Sequence, residues 1–351
     1  MLEKEPKMPP DNDASRMKLL VIRMTIAVTA LAVCACLSAC DPPAEKPAGP
    51  PEKVTFAVSA TTDSVLAQVA QAKGFLRREG LEVTVRPHPY GKPALEDLLA
   101  GKADFATVAE TPVMFAIMKG AKISVVATIE TSSKGNAIIA RKDRGILSLA
   151  DLKGRKVAVT RGTTSDYFLD AVLAVNGIAR HEVTVVDLNA EQLPEALAKG
   201  EIDAVSAFSP YTILAQEQLG KSGIAFHDKE IYTWTFNVVA TRDFIRKHPD
   251  RVAKMLRALV RAEAFARDNA AEAQKIVIGF SGIDPAIVRD VWADTRFVVS
   301  LDQTLVIALE DESRWAMKHG LTEAKTVPNY LDYIYFDGLK AVRPEAVRIL
   351  R

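Results

Sequence analysis

The sequence predicts an α/β protein of two similar lobes, each a mostly parallel sheet flanked by helices. Apolar strand-like segments and amphipathic helix-like segments alternate from Lys53 onward, which is typical of parallel sheets. One pattern also occurs twice, because LEDLLAGKADFATVAETP at Leu95–Pro112 returns as PEALAKGEIDAVSAFSP at Pro194–Pro210. Each copy reads as a short helix, a Gly turn, an Asp and an apolar strand. The copies lie about 100 residues apart, a domain-sized spacing rather than that of a solenoid repeat.

Two further features repeat in the same order. Any two βαβ units share Gly turns and Val-rich strands, so a single match would mean little, whereas three matches in one order indicate a true repeat. The additional matches are the tetrapeptide EVTV at Glu82–Val85 and Glu182–Val185, and the threonine pair after the first strand of each copy, Thr61-Thr62 and Thr163-Thr164.

Both copies end in a hydroxyl residue followed by proline, Thr111-Pro112 and Ser209-Pro210. Serine and threonine are favoured helix N-caps, and proline is favoured at the first helical position. The sequence therefore predicts that a strand gives way to a helix at each of these points, with Thr111 and Ser209 as the N-caps.

The remaining elements follow from short Val- and Ile-rich runs between glycines for strands, and from longer stretches of helical period for helices. Strands are predicted at Val54–Ser59, Leu81–Arg86, Ser124–Thr128, Ala137–Arg141 (a crossover), Lys156–Thr160, Val183–Leu188, near Ala225 and at Thr235–Thr241. Helices are predicted at Val65–Leu76, Val113–Lys119, before Asn176, after Pro210, and at Arg251–Arg267, Asn269–Phe280, Pro285–Arg296 and Thr304–His319. The aromatic tail Tyr330–Leu339 is predicted to pack as core or as a clasp.

The amino terminus has the pattern of an export signal. Val21–Leu37 is almost wholly apolar and follows Lys18, which matches a positive segment and a hydrophobic segment of secretory length. It ends in LSAC, which resembles a bacterial lipobox and predicts that Cys40 is lipidated; an ordinary signal peptide or a buried apolar helix are the alternatives. Residues 1–16 are too acidic for a signal, so translation is predicted to start at Met17.

The predicted organisation has four parts. Residues 1–39 are a signal peptide, and residues 40–52 are a lipidated cysteine with a Pro-rich tether. Residues 53–138 and 240–351 form the first lobe, whose C-terminal part is helical, and residues 139–239 form the second lobe. Asp41 follows Cys40 as in lipoproteins kept in the inner membrane of Gram-negative cells, so we expect a protein anchored in the cell envelope.

Composition and motifs exclude several functional classes. The formal net charge is +1, so the sequence shows no basic footprint for nucleic acid. The three cysteines all lie within the first forty residues, so the exported part has no disulfide and no thiol nucleophile. The five histidines are scattered without metal-ligand spacing, and no nucleophile elbow, P-loop or zinc-protease motif occurs. We therefore expect no metal, no cofactor and no enzymatic activity, and a monomer.

A ligand is expected where the helices of both lobes begin, since ligands of open α/β sheets lie beyond the carboxyl ends of the strands. Helix starts offer unpaired N–H groups, and hydroxyl side chains beside them suit a small oxyanion, although each such residue is also an ordinary helix cap. The candidate ligand-binding residues are Thr61, Thr62, Asp63, Glu110, Thr111, Thr163, Thr164, Ser165, Asp166, Tyr167, Ser209, Tyr211 and Trp234.

Two carboxylates in this set argue against a bare anion. Glu110 and Asp166 would repel an anion in a cleft and attract an ammonium, although a carboxylate at a helix start is also stabilised by the helix dipole. Tyr167, Phe208, Tyr211 and Trp234 offer flat apolar walls. The set therefore favours an organic ligand with polar and apolar parts, zwitterionic or heteroaromatic, over nitrate or bicarbonate.

Several runs of the chain, covering about residues 53–245, resemble a known family. They are VAQAKGF (Val69–Phe75) with EGLEV (Glu79–Val83), Leu98–Phe105, SLADLKGRKVAV (Ser148–Val159), and Gly200–Val205 with Ser209-Pro210. These runs are similar to those of the nitrate/sulfonate/taurine-binding group of periplasmic solute-binding proteins, which also includes binders of thiamine pyrimidine precursors.

The resemblance implies a type II periplasmic-binding-protein-like fold with a hinge of two crossover strands. It implies capture of a small organic ligand, sulfonate- or taurine-like, for delivery to an ABC permease and its ATPase. Ligand contacts would come from the loops that carry Thr61–Asp63, Glu110-Thr111, Thr163–Asp166 and Ser209. The sequence offers no obvious arginine clamp for an oxyanion, and Arg161 is the nearest candidate. A ligand-sensing module for a receptor is the alternative, and a pyrimidine-synthase-like enzyme is a more distant one.

Overall fold

The computed structural model describes residues 49–350 other than Lys229. These residues belong to one compact unit, which contains every element described below. The predicted signal peptide, the start at Met17, the lipidated Cys40 and Asp41 lie outside the described residues. Within these residues, no helix combines the length and apolar character needed to cross a membrane.

The strands and helices alternate through the first three quarters of the chain. The strands are β1 (Glu52–Ser59), β2 (Leu81–His88), β3 (Phe105–Ala109), β4 (Ile123–Ser132), β5 (Ala137–Arg141), β6 (Lys156–Val159), β7 (Thr184–Asp187), β8 (Ala204–Ala207), β9 (Gly223–Phe226), β10 (Trp234–Thr241) and β11 (Arg296–Ser300). The helices are α1 (Val65–Ala72), α2 (Phe75–Arg78), α3 (Gly91–Leu99), α4 (Glu110–Met118), α5 (Thr164–Val175), α6 (Leu193–Lys199), α7 (Tyr211–Leu219), α8 (Arg242–Lys247), α9 (Pro249–Asp268), α10 (Ala270–Ser281), α11 (Pro285–Asp294), α12 (Gln303–Lys318) and α13 (Phe336–Val342).

The strands form two sheets in the described part of the chain, with the orders β11-β4-β10-β3-β1-β2 and β7-β6-β8-β5-β9. In the first sheet β1 is parallel to β2 and β3, while β10 is antiparallel to β3 and β4. In the second sheet β6 is parallel to β7 and β8, while β5 is antiparallel to β8 and β9. Counted from β2, the first sheet has the order β2-β1-β3-β10-β4, and the second sheet has the corresponding order β7-β6-β8-β5-β9. The predicted two-lobed α/β fold is confirmed, and "lobe 1" and "lobe 2" below mean the first and second sheets with their helices.

The repeated sequence pattern has the same structural role in both lobes. Gly101 and Gly200 end their helices with φ angles of 71° and 74°, a left-handed conformation that favours glycine. The Asp104 carboxylate accepts a hydrogen bond of 2.8 Å from the backbone N–H of Thr55 at β1, and Asp203 accepts one of 2.9 Å from that of Lys156 at β6. Each repeated Asp therefore fixes one strand against its neighbour, so this part of the repeat is structural.

Two connections carry the described chain between the sheets. Residues 133–136 lead from β4 in the first sheet to β5 in the second, and residues 227–233 lead from β9 back to β10. The strand predicted at Ala137–Arg141 is β5 and pairs within the second sheet, and the strand predicted at Thr235–Thr241 is β10 of the first sheet. The lobe limits at residues 138/139 and 239/240 stay a prediction.

Four local predictions are wrong. The helix predicted at Val65–Leu76 is divided into α1 and α2, because Gly74 between them has a left-handed φ of 66°. Thr111 is not an N-cap, because α4 begins one residue earlier at Glu110 and Ala109 holds the extended N-cap conformation. Ser209 is not an N-cap either, because Pro210 takes that position, with helical backbone angles, ahead of α7. The helix predicted through Arg296 ends at Asp294, and Arg296 begins β11, which pairs with β4 and was not predicted.

The C-terminal part packs as core against lobe 1. Helix α9 buries Val252, Met255 and Leu259 completely and runs alongside α1 and α13. The aromatic tail also packs as core, since Tyr330 is 1% exposed and Phe336 is buried. The first sheet is thereby covered, and the surface between the lobes remains for a ligand.

Candidate functional site

A cleft lies between the two lobes, where strands of both sheets end. It has a narrow part with a volume of about 30 Å³ and a wider part of about 340 Å³. Asp63, Ser209 and Trp234 line both parts and therefore stand at their junction. The wider part falls within the size range of about 300–1,000 Å³ of sites for small organic molecules.

The narrow part contains four aromatic side chains among the described residues. Tyr90, Phe208, Trp234 and Phe236 form its walls, and Tyr90 lies with its ring centre 5.8 Å from that of Phe208 across the lobes. The start of α5, with Thr163 and Thr164, closes one end. This part offers flat apolar surface next to a helix N-terminus.

Asp63 is a buried carboxyl group at the junction. It lies in the 3₁₀ turn Thr62–Ser64 that precedes α1 and is 8% exposed. Its Oδ2 accepts a hydrogen bond of 2.8 Å from the Thr61 hydroxyl. Burial raises the pKa of Asp63 to about 7, against the lowering effect of that hydrogen bond. Asp63 therefore changes charge near neutral pH.

Glu130 is a second buried carboxyl group and lines the wider part from the end of β4. It is 0% exposed, and neither carboxyl oxygen has a hydrogen-bond partner among the described residues. Burial, and next the negative charge of Asp63, raise the pKa of Glu130 well above its ordinary value. Sequence reasoning missed this residue. Its signal is a glutamate within the strand-like run SVVATIETS, because glutamate is almost never fully buried unless it is paired.

The connection from β4 to β5 supplies the rest of the polar wall. Asn136 is 6% exposed, and neither the nitrogen nor the oxygen of its side-chain amide has a partner among the described residues. Ser132 and Ser133 precede it. The other charged or titratable side chains around the wider part are Lys134, His227, Asp228 and Asp290.

Glu110 and Thr111 lie behind the cleft wall instead of lining it. Glu110 Oε2 accepts 2.8 Å and 3.2 Å hydrogen bonds from the backbone N–H and the hydroxyl of Thr235, and its other oxygen accepts one from the Tyr232 hydroxyl. Thr111 donates to Glu312 Oε1 on α12 at 2.8 Å, and the Tyr232 oxygen lies 2.8 Å from the same atom. Because the Tyr232 hydroxyl has one proton and donates it to Glu110, a hydrogen bond between Tyr232 and Glu312 requires a protonated Glu312 carboxyl as the donor. These groups form a buried network that joins α4, the connection before β10 and α12.

Burial sets the charge of this network. It raises the pKa of Glu110 to about 7 against the hydrogen bonds that the carboxylate accepts, and burial together with the charge of Glu110 raises the pKa of Glu312 well above its ordinary value. Two adjacent carboxyls in an apolar interior do not both ionise readily. The network therefore holds at least one proton near neutral pH.

The other predicted residues divide between the cleft and its surroundings. Thr163, Thr164, Ser209 and Trp234 line the cleft with Asp63. The remaining predicted residues do not line either part of the cleft. Thr61 and Thr62 are buried in the turn at Asp63, and Ser165 forms a hydrogen bond with Thr163 at the start of α5. Asp166 forms an ion pair with Arg180 at 3.0 Å, Tyr167 packs on Tyr232 and Trp315, and Tyr211 donates a hydrogen bond of 3.3 Å to the Pro89 carbonyl. A binding role for any of these residues stays a prediction.

The lobes touch each other around the cleft. Lys92 of lobe 1 donates a 2.9 Å hydrogen bond to the Arg161 carbonyl of lobe 2. Trp315 on α12 donates one of 2.7 Å to the Asp170 carboxylate on α5. With the Tyr211 contact to Pro89, these bonds hold the lobes together on several sides.

No arginine side chain lines either part of the cleft in the region that the structure describes. Arg161 lies in a separate groove with Asp166 and Phe115, and the basic side chains of the cleft are Lys92, Lys134 and His227. The described residues also contain no group of His, Cys, Asp and Glu side chains placed to hold a metal ion.

The chain is similar in sequence to a known family and to individual bacterial proteins. Residues 54–273 match the family described as NMT1/THI5 like. The chain is 28% identical over 233 residues to a Bacillus subtilis (strain 168) protein assigned as an aliphatic sulfonates-binding protein, covering 65% of this chain and 70% of that one. It is 27% identical over 218 residues to the taurine-binding periplasmic protein of Escherichia coli (strain K12), covering 60% of this chain and 66% of that one.

Solved structures share the fold. The periplasmic aliphatic sulphonate-binding protein of Escherichia coli matches with a TM-score of 0.69 at 18% identity, covering 81% of this chain and 98% of that one. The desulfurization enzyme DSZB matches with a TM-score of 0.65 at 16% identity, covering 84% of this chain and 99% of that one. The same two-sheet architecture therefore occurs in a binding protein and in an enzyme.

Proposed function

The chain belongs to the NMT1/THI5-like family, and from this premise we propose that it is the solute-binding component of an ABC importer. It captures a small organic ligand in the cleft between its lobes and delivers that ligand to a permease and its ATPase. We further propose that it acts in the periplasm, held to the membrane through a lipid on Cys40. The relatives named for sulfonate and taurine binding support a sulfonate- or taurine-like ligand, or another zwitterionic or heteroaromatic one.

The observation that carries this proposal is the cleft itself. It lies between two lobes that are joined by two short connections, residues 133–136 and 227–233. Its lining combines aromatic walls with buried polar groups from both lobes, as expected of a site for a small molecule.

The mechanism follows from the position of the cleft. A ligand that contacts Asp63 and Glu130 in lobe 1 and Thr164 and Ser209 in lobe 2 at the same time binds the closed form better than an open form. It therefore shifts the equilibrium toward closure by the difference between its two affinities. The closed pair of lobes is then the surface that a permease would recognise.

Thermal melting against a ligand panel tests this function. The panel holds taurine and alkanesulfonates, aromatic sulfonates, carboxylates, pyrimidines, amines and nitrate. A ligand at about a hundred times its dissociation constant adds roughly 2.7 kcal/mol to the free energy of unfolding. We expect one chemical class to raise the melting temperature by several degrees. A flat response to the whole panel would contradict the proposal.

The similarity to a desulfurization enzyme requires a separate control, because fold alone does not fix function. We propose that this protein binds its ligand without altering it. Mass spectrometry of the stabilising compound after prolonged incubation should recover it unchanged. Recovery of a desulfonated or hydrolysed product at a rate that depends on protein concentration would identify an enzyme instead.

A further inference from the structure

We propose that Asp63, Glu130 and Asn136 form a subsite for a positively charged nitrogen group of the ligand, an ammonium or an amidinium. This inference rests on the proposed function, since it names the chemistry of the ligand that the cleft would take. Taurine, the ligand in one relative's name, carries such a group, but no relative's name says which residues would hold it here. Of the three residues, only Asp63 is among the candidates from the sequence.

The first support is the unsatisfied carboxyl of Glu130. A buried polar group without a partner costs free energy, so native proteins satisfy nearly all of them. Glu130 is fully buried, lines the wider part of the cleft, and has no partner for either oxygen among the described residues. A group that fills the cleft and donates hydrogen bonds would satisfy both oxygens.

The second support comes from a different element. Asn136, in the connection between β4 and β5, is buried and has both side-chain amide atoms without a partner among the described residues. It lines the same cavity as Glu130. Its carbonyl oxygen can accept a further N–H, so the cavity presents acceptors from two elements to one ligand group.

The carboxyl groups around the cavity favour a cationic donor over a neutral one, because a cation stabilises their ionised forms. Among the described residues, four carboxyl groups line the wider part, from Asp63, Glu130, Asp228 and Asp290, against the basic side chains of Lys134 and His227. Charge-assisted hydrogen bonds to a carboxylate are about twice as strong as neutral ones. A nitrogen that carries both a positive charge and several N–H groups matches this lining best.

Burial determines the protonation of the two carboxyls in the unliganded protein. It raises the pKa of Asp63 to about 7 and that of Glu130 further above its ordinary value, so the unliganded subsite keeps protons. A cation that enters favours the ionised forms and releases those protons. Binding of a cationic nitrogen should therefore strengthen as pH rises through about 7.

Matched compounds test the subsite directly. The pairs are taurine and ethanesulfonate, β-alanine and propanoate, and benzamidine and benzamide; in each, only the first carries the cationic nitrogen. We expect at least one nitrogen compound to bind about tenfold or more tightly than its match, by calorimetric titration near pH 8. Equal or tighter binding of the matched compounds that lack the cationic nitrogen would overturn the subsite.

Glu130→Gln tests whether this carboxyl provides the preference. The amide keeps the shape of the side chain and removes its charge, so the nitrogen compound should lose about tenfold in affinity while the melting temperature of the unliganded protein does not fall. Glu82→Gln, the same change at an exposed position of β2, is the matched control and should leave both values unchanged. An unaltered preference in Glu130→Gln would overturn the assignment.

The pH profile provides a second readout. Taurine affinity should rise between about pH 6 and about pH 8 in the wild type and change less in Asp63→Asn. His227 also belongs to a residue type that titrates in this range, but both proteins share its contribution, and those of Lys134, Asp228 and Asp290. Identical profiles in the two proteins would overturn the role of Asp63.

The outcomes also separate this inference from the proposed function. If none of the compounds with a cationic nitrogen binds more tightly than its match, but nitrate, a carboxylate or an aromatic sulfonate binds, the protein is a solute-binding protein and the subsite is wrong. If nothing in the panel binds, both are contradicted.

Discussion

Side-chain burial sets the charge of the cleft at the scale of single residues. Asp63 and Glu130 lie in an apolar interior close enough for their charges to interact, and the pKa of each is raised. Desolvation is the largest cause in both cases, and the mutual repulsion adds to it for Glu130. The site therefore changes charge within the physiological range, where an exposed carboxyl would not.

The stability of the unliganded protein should depend on this charge. The pKa of Asp63 is about 7 in the folded protein, above its ordinary value of 3.8. Its contribution to folding is therefore complete below about pH 4 and is lost as the pH rises through about 7. We expect the melting temperature to fall over this range in the wild type and to fall less in Asp63→Asn.

Differential scanning fluorimetry across pH makes that comparison. Asp332→Asn, at an exposed position, is the control and should follow the wild type. The contrary result is a wild-type melting temperature that does not fall between about pH 4 and about pH 7 and that follows the melting temperature of Asp63→Asn. It would show that the Asp63 carboxyl is not desolvated.

Individual site residues were only partly accessible to sequence reasoning. Asp63, Thr164 and Ser209 could be placed in the cleft because they follow strands at the edge where helices begin. Glu110 could not be placed behind the wall, since its partners Thr235 and Glu312 are distant in the chain. Asn136 lies in an irregular connection that carries no periodic signal, so only the folded chain shows its position.

The repeated helix-turn-strand unit explains why the elements could be predicted so well. Its glycine and aspartate act locally, through a left-handed turn and a hydrogen bond to the neighbouring strand, in both lobes. Signals of this kind lie within a few residues of the structure that they specify. Strand β11 lacks such a signal, because its pairing with β4 depends on tertiary packing, and it was missed.

Glycine substitutions test the turn at the scale of the element. Gly101 has φ 71°, and no neighbouring atom lies within 4 Å of the point that a Cβ would occupy, so Gly101→Ala should destabilise by about 1 kcal/mol through backbone strain alone. Gly279, within α10, has equally open surroundings and no positive φ. Gly279→Ala should therefore stabilise by about 0.5–1 kcal/mol.

Urea unfolding of the two variants gives the comparison. Because the chemical change is the same, the opposite signs isolate the backbone conformation. Two variants with the same sign of change would contradict the left-handed turn at Gly101.

The whole molecule is two copies of one sheet topology that face each other across a cleft. The antiparallel strands β10 and β5 are the fourth strands of their sheets, counted from β2 and from β7. Each follows directly after the chain has crossed from the other lobe. This arrangement could be predicted because the repeat and the crossovers are visible in the sequence. The contacts that join the lobes, such as Trp315 with Asp170, could not, since they depend on how the two copies pack.

The central claim is that the cleft between the lobes binds the ligand, and a variant with a filled cleft tests it most directly. Val291 on α11 is half-buried and lines the wider part of the cleft, so Val291→Trp would occupy that space. Ile307 on α12 is 52% exposed, and Ile307→Trp is the matched control. The measurement is calorimetric titration of the compound that stabilises the wild type most. We expect Val291→Trp to weaken binding by about a hundredfold or more and Ile307→Trp to bind as the wild type does. Wild-type affinity in a folded Val291→Trp protein would place the ligand elsewhere and contradict the account.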